Sequence, residues 1–176
     1  MPSPTYTLIA SNTLSSSAAS VTFSSIPNTY TDLVLKYSAR QTGTSDVQDS
    51  IQIGVNGAPS GTSFSTTRLR GNGSAASSNR SSNSSNYNLE QGATAGGNVA
   101  NTFAQGEIYI PSYTASQNKP ASSFTAHEDN ASLAYLRANA SLWRSTSAIT
   151  SLVLQLESGQ NFISGSSFFL YGIKNS

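Results

Sequence analysis

The sequence predicts an all-β fold, an antiparallel two-sheet sandwich of jelly-roll type with about ten strands and long Ser/Asn/Gly-rich loops. Three observations carry that expectation. Apolar residues alternate with polar ones in window after window, the period of a half-buried strand. Each window closes on Gly, Pro, Asn or Ser, which suit turn backbones. Helical spacing of apolar residues is hard to find. Charged residues are only 10% of a chain that is 36% hydrophobic, with a net charge of +1, so the composition is that of an ordered protein rather than a disordered one. At 176 residues the chain is sized for one domain, 1–176, with a sizeable core.

The first strand is expected over residues 6–10 and the second over 21–23, leading through Ile26-Pro27 to a turn at Asn28. Leu33, Leu35 and Tyr37 then share one face, and Ile51, Ile53 and Val55 alternate with Gln52, Gly54 and Asn56. Asn56-Gly57 suits a tight hairpin turn, because both residues tolerate positive φ. Further strands are expected over 64–70, 107–110, 122–128, 135–144, 150–157 and 167–174. Leu152, Leu154 and Leu156 fall on one face and should line the core. Residues 71–88 and 92–101 are Ser/Asn/Gly-rich and read as long loops, either mobile or ordered by a partner. No repeat of solenoid or propeller period is evident.

Charge and composition narrow the function classes. Nine basic and eight acidic residues are scattered along the chain, so no electrostatic footprint for nucleic acid or anionic lipid is present. Cysteine is absent, which excludes disulfides, zinc-cysteine sites and thiol chemistry. No apolar run approaches the roughly 20 residues that span a bilayer, and no signal-peptide pattern opens the chain. The expectation is a protein soluble as synthesised, without membrane insertion.

Candidate catalytic groups are few. Glu107 and Glu128 could form a glycosidase pair only if the fold brought them within about 5 to 9.5 Å, and ordinary solvated carboxylates are the favoured reading. His127, the single histidine, stands beside Glu128 and Asp129 and reads as a strand-end residue rather than a metal ligand. Asp46 and Asp49 lack the EF-hand spacing. No nucleophile elbow, Walker A sequence or dinucleotide fingerprint occurs. The expectation is a non-catalytic protein with no cofactor and no metal. Sequons at Asn72, Asn79, Asn83, Asn130 and Asn139 are what a chain this rich in Ser and Asn contains by chance.

Surfaces are more informative than sites. Over 135–144, Leu136, Ala138, Ala140 and Leu142 are expected to face the core, which leaves Tyr135, Arg137, Asn139 and Trp143 outside; Tyr, Arg and Trp are the types most enriched at binding hot spots. Arg68 and Arg70 share a face, where like charges must be solvated or matched by carboxylates of a partner. The closing strand carries Phe169 and Tyr171 opposite Phe168 and Leu170, apolar on both faces, so it should be central or covered by a neighbouring subunit. The candidate interface is therefore Tyr135, Arg137, Trp143, Arg68, Arg70, Phe169 and Tyr171.

The N-terminal pattern Tyr6-Thr-Leu-Ile-Ala, Val21-Thr-Phe-Ser-Ser-Ile-Pro27 and Tyr30-Thr-Asp-Leu-Val-Leu, with the ending Gly165-Ser-Ser-Phe-Phe-Leu-Tyr-Gly-Ile-Lys174, resembles a module of tailed-bacteriophage virion proteins. It covers the first quarter and last eighth of the chain. The resemblance implies a jelly-roll-like capsid decoration or cement protein, or a tail-fibre head. As a cement protein it would bind the assembled lattice of the major capsid protein, or other virion proteins, as a homo-oligomer, with a trimer favoured over a dimer. As a receptor-binding tail-fibre or tail-tip head it would recognise host surface glycans. Either way it would be made in the host cytoplasm and sit on the exterior surface of the virion.

Overall fold

The computed structural model describes residues 5–44, 48–95, 99–129 and 134–174. These hold twelve strands and no helix. In chain order they are β1 (Tyr6–Thr13), β2 (Ser20–Phe23), β3 (Asp32–Ala39), β4 (Gln48–Val55), β5 (Phe64–Gly71), β6 (Ala76–Ser84), β7 (Tyr87–Thr94), β8 (Ala104–Ile110), β9 (Lys119–His127), β10 (Tyr135–Trp143), β11 (Leu152–Leu156) and β12 (Ser167–Ile173). They form a large sheet, ordered β1-β12-β3-β8-β9-β10-β5-β6, and a small sheet, β2-β11-β4-β7. Every ladder is antiparallel. The expected two-sheet sandwich is what forms. A jelly roll of eight strands is built from two Greek keys, whereas this chain divides its strands eight and four.

The core fills the space between the sheets. Leu152, Leu154 and Leu156 line it as expected, with Leu154 opposite Val21 on one side and Ile53 on the other. The large sheet answers with Leu33, Leu35 and Tyr37 of β3 and Phe168 and Leu170 of β12. Phe168 stacks on Tyr37 at 6.3 Å and meets Phe162 edge-on at 5.0 Å. Each such side chain contributes about 1.5–3 kcal/mol of apolar burial.

Two strands lie where loops were expected. β6 buries no apolar side chain, and it stands at the open edge of the large sheet on its ladder to β5 alone. The turn before it supplies the missing order. The Asn72 side-chain oxygen accepts from the main-chain nitrogens of Ser74 at 3.2 Å and Ala75 at 2.8 Å, and Gly73 takes a φ of 84°. β7 does carry a period-two signal, since Tyr87 and Leu89 are fully buried, but it is set among Ser and Asn.

Asn56 and Gly57 take the positive φ values expected, 56° and 151°, yet no hairpin forms there. β4 belongs to the small sheet and β5 to the large one, so the turn is a corner between sheets. Asn56 fastens it to the entrance of β11, accepting from the Thr150 nitrogen and donating to the Ala148 carbonyl, each at 2.8 Å. The turn folds back over Gly54, where a Cβ would run into the Gly57 carbonyl oxygen.

Candidate functional site

The face expected to lie inside β10 lies outside. Leu136 is 54% exposed and Ala138 and Ala140 are exposed too, whereas Arg137, Asn139, Ser141 and Trp143 are buried. Arg137 and Trp143 therefore form no surface patch, and Tyr135 is half-buried with its ring 4.9 Å from the Arg137 guanidinium. Trp143 instead stacks on Phe64 at 6.1 Å inside the sandwich. β9 repeats the inversion, burying Ser123, Thr125 and His127 and leaving Phe124 43% exposed.

The reason lies in what this part of the large sheet faces. It packs against β7, which is the edge strand of the small sheet, and an edge strand presents main-chain groups that need partners. Asn139 Nδ2 reaches towards the Asn88 carbonyl at 3.4 Å and donates to Ser123 Oγ at 2.9 Å, and Thr125 Oγ1 donates to the Glu90 carbonyl at 3.2 Å. Polar side chains point inward here because a strand edge is what they meet.

Glu90 is the centre of this polar half. Asp49 pairs with Ala93 and Ile51 with Leu89, so Glu90, Gln91 and Gly92 stand opposite Ser50 alone, and Gln91 adopts a φ of 53°. Such a bulge re-aims side chains. One Glu90 carboxylate oxygen pairs with Arg68 and the other with Arg137. Burial, helped by the positive charges of Arg70 and Arg68, pushes the Arg137 guanidinium down to about 10, so it stays charged at neutral pH. Beyond β7 the β5–β6 hairpin continues uncovered. Its inner face and the β7 edge enclose a polar cleft of about 400 Å³ lined by Thr66, Arg68, Ser81, Asn83, Asn88 and Glu90, which runs on past Arg68 to Arg70, Ser77 and Asn79.

On the opposite face of the same strands, Leu69 sits beside Ala138 and Ala138 beside Phe124 across β5, β10 and β9. With Leu136 they line a shallow apolar depression of about 260 Å³. Farther along this face Phe169 and Tyr171 are half-buried, and Tyr171 meets Tyr6 edge-on at 6.2 Å. β12 is second from the edge of its sheet, between β1 and β3.

The remaining candidates separate. Glu107 pairs with Lys36 at 3.1 Å in the open. It stands opposite Phe124, four residues before Glu128, a strand-direction offset of roughly 13 Å at strand rise, too far for a glycosidase pair. Both ring nitrogens of buried His127 lack hydrogen-bond partners, and burial holds its pKa below the ordinary value against the opposing pull of Asp129 and Glu128. Asp46 lies outside the described residues. Asp49 is a structural acceptor, taking hydrogen bonds from the Ser50 nitrogen at 2.7 Å and from the Ser158 hydroxyl. No cluster of three potential metal-ligating His, Cys, Asp or Glu side chains occurs among the described residues.

Sequence reasoning missed Leu69, Phe124, Leu136 and Glu90. Leu136 was assigned inward by hydropathy, Leu69 and Phe124 lie on strands whose apolar face was not assigned, and Glu90 lies between the two stretches read as loops. The one legible signal was β9 and β10 together, where Ser123, Thr125, His127, Arg137 and Asn139 repeat polar residues at period two. No family model, curated protein or solved structure matches the chain.

Proposed function

We propose that this chain is a surface protein of a tailed-bacteriophage virion, a decoration or cement protein that seats the outer face of its large sheet on the assembled capsid lattice. The observation that carries the docking is the apolar face of Leu69, Phe124 and Leu136, exposed by 57, 43 and 54% on neighbouring strands with Ala138 between Leu69 and Phe124. Contiguous exposed apolar surface on a folded domain marks an interaction site. The resemblance of the two chain ends supplies the setting. A ligand that binds only the assembled shell stabilises it by mass action and needs no chemistry, and a trimer or dimer would present the same patch at each lattice contact. The polar cleft under the β5–β6 hairpin favours a second reading, a receptor-binding head that meets host glycans.

A stained gel of purified virions separates the two. A cement protein should be present on the order of hundreds of copies per particle, as a lattice-filling part must be, and particles lacking it should lose heat resistance. Leu69→Asp with Leu136→Asp should abolish capsid binding by the purified protein while shifting its own stability by no more than about 0.5 kcal/mol per site. Low copy number with normal heat resistance would overturn the cement reading, and capsid binding unaffected by the pair would overturn the docking face.

A further inference from the structure

The groove beneath the β5–β6 hairpin is charged out of balance. Three guanidinium groups, those of Arg68, Arg70 and Arg137, stand against two carboxylates, Glu90 and Glu157, of which only Glu90 lines the stretch beside Arg70. Arg137 lies at the bottom, its side chain only 1% exposed, and holds one Glu90 oxygen from within the sandwich. Glu90 is thereby shared between two guanidinium groups, and Arg70 adds a further positive charge at the rim of the groove. Nε of Arg68 and Nε and Nη2 of Arg137 are buried without hydrogen-bond partners, an unusual state for guanidinium donors. Arg70 is exposed, and its Nε donates to Ser77 Oγ at 2.6 Å, which fixes the side chain along the hairpin.

Around Arg68 and Arg70 the groove is built of small neutral polar groups. Register places Thr66 beside Ser81, Arg68 beside Asn79 and Arg70 beside Ser77, so hydroxyls and an amide flank the two arginines along an open trough. A planar guanidinium grips a carboxylate or sulfate through paired N–H donors. Hydroxyls and amides at strand spacing suit a ligand with repeated hydroxyl groups of its own.

We propose that this groove binds an acidic saccharide, with Arg70 and Arg68 gripping a carboxylate or sulfate and Ser77, Asn79 and Ser81 taking sugar hydroxyls. The groove opens on the reverse side of the strands that carry Leu69 and Leu136, so a copy docked through that apolar face keeps it open to solvent. The proposal goes beyond the docking reading and does not require it.

Calorimetric titration of the full chain at low salt tests it with tetragalacturonate, its methyl ester and a sulfated carrageenan tetrasaccharide. At least one acidic probe should bind with a Kd near or below about 1 mM, and the neutral ester about tenfold more weakly. Preference between the two acidic probes identifies carboxylate or sulfate as the recognised group. Arg70→Ala, at an exposed position that should leave the fold intact by circular dichroism, should weaken binding about tenfold, the loss of roughly one charged hydrogen-bonded contact. Binding should also fall as salt is raised, since the arginine at the rim is open to screening. Failure of both acidic probes to bind at about 5 mM, well above the expected Kd, would overturn the proposal. So would equal affinity for the methyl ester, or binding that Arg70→Ala leaves unchanged.

Discussion

One large sheet serves two interiors of different chemistry. Where β3 and β12 share an apolar cluster with the leucines of β11, the sheet points Leu33, Leu35, Phe168 and Leu170 inward. Where β5, β9 and β10 meet β7, the same sheet points Arg68, Thr125, Arg137 and Asn139 inward and leaves Leu69, Phe124 and Leu136 outside. The difference follows from the unequal sheets. Strands of the small sheet offer a covering face in one half, while in the other only its edge strand is present. A face asks for apolar surface, and an edge asks for hydrogen bonds.

Substitutions in either half of the sandwich should report its chemistry. Phe168→Ala removes a fully buried ring from the apolar half and should cost about 3–5 kcal/mol in urea unfolding, since the ring's burial is lost and a cavity remains. Glu90→Gln should cost about 3 kcal/mol by the same measurement, because it leaves Arg68 and Arg137 without their shared carboxylate; a loss below about 0.5 kcal/mol, the usual surface value, would mean that the ion network does not hold the polar half together.

The polar half also carries a pH dependence. Burial lowers the His127 pKa from its ordinary 6.5, so as pH falls the unfolded chain takes up its proton first. The stability this group leaves intact is full above about 6.5 and is lost as pH drops through the depressed folded value. His127→Asn should flatten that part of the wild-type acid slope, and identical slopes in the two proteins would remove His127 from the account.

Most strands could be read from the chain because their alternation has a single cause. Ile51, Ile53, Leu152, Leu154 and Leu156 are inside because a second sheet covers them. β6 could not be read, since Ser77 to Ser84 carry no apolar signal and the strand rests on main-chain pairing and the Asn72 turn. β10 was read as a strand with its faces exchanged: alternation gives two faces, and hydropathy chose the core side wrongly where the partner is a strand edge. Arg68 was expected to be solvated or matched by a partner's carboxylate, and instead the chain itself supplies the carboxylate at a bulge whose φ at Gln91 no local pattern announces.

Because the chain has no native cysteine, the exchanged faces can be tested by single-thiol labelling. Ala138→Cys and Ser141→Cys place one thiol on each face of β10, the first exposed and the second buried beside Thr66. The folded protein should label rapidly at position 138 and slowly at 141, with both equally reactive in denaturant. Slow labelling at 138 with rapid labelling at 141 would put the leucines inside and the arginine outside, and would contradict the account.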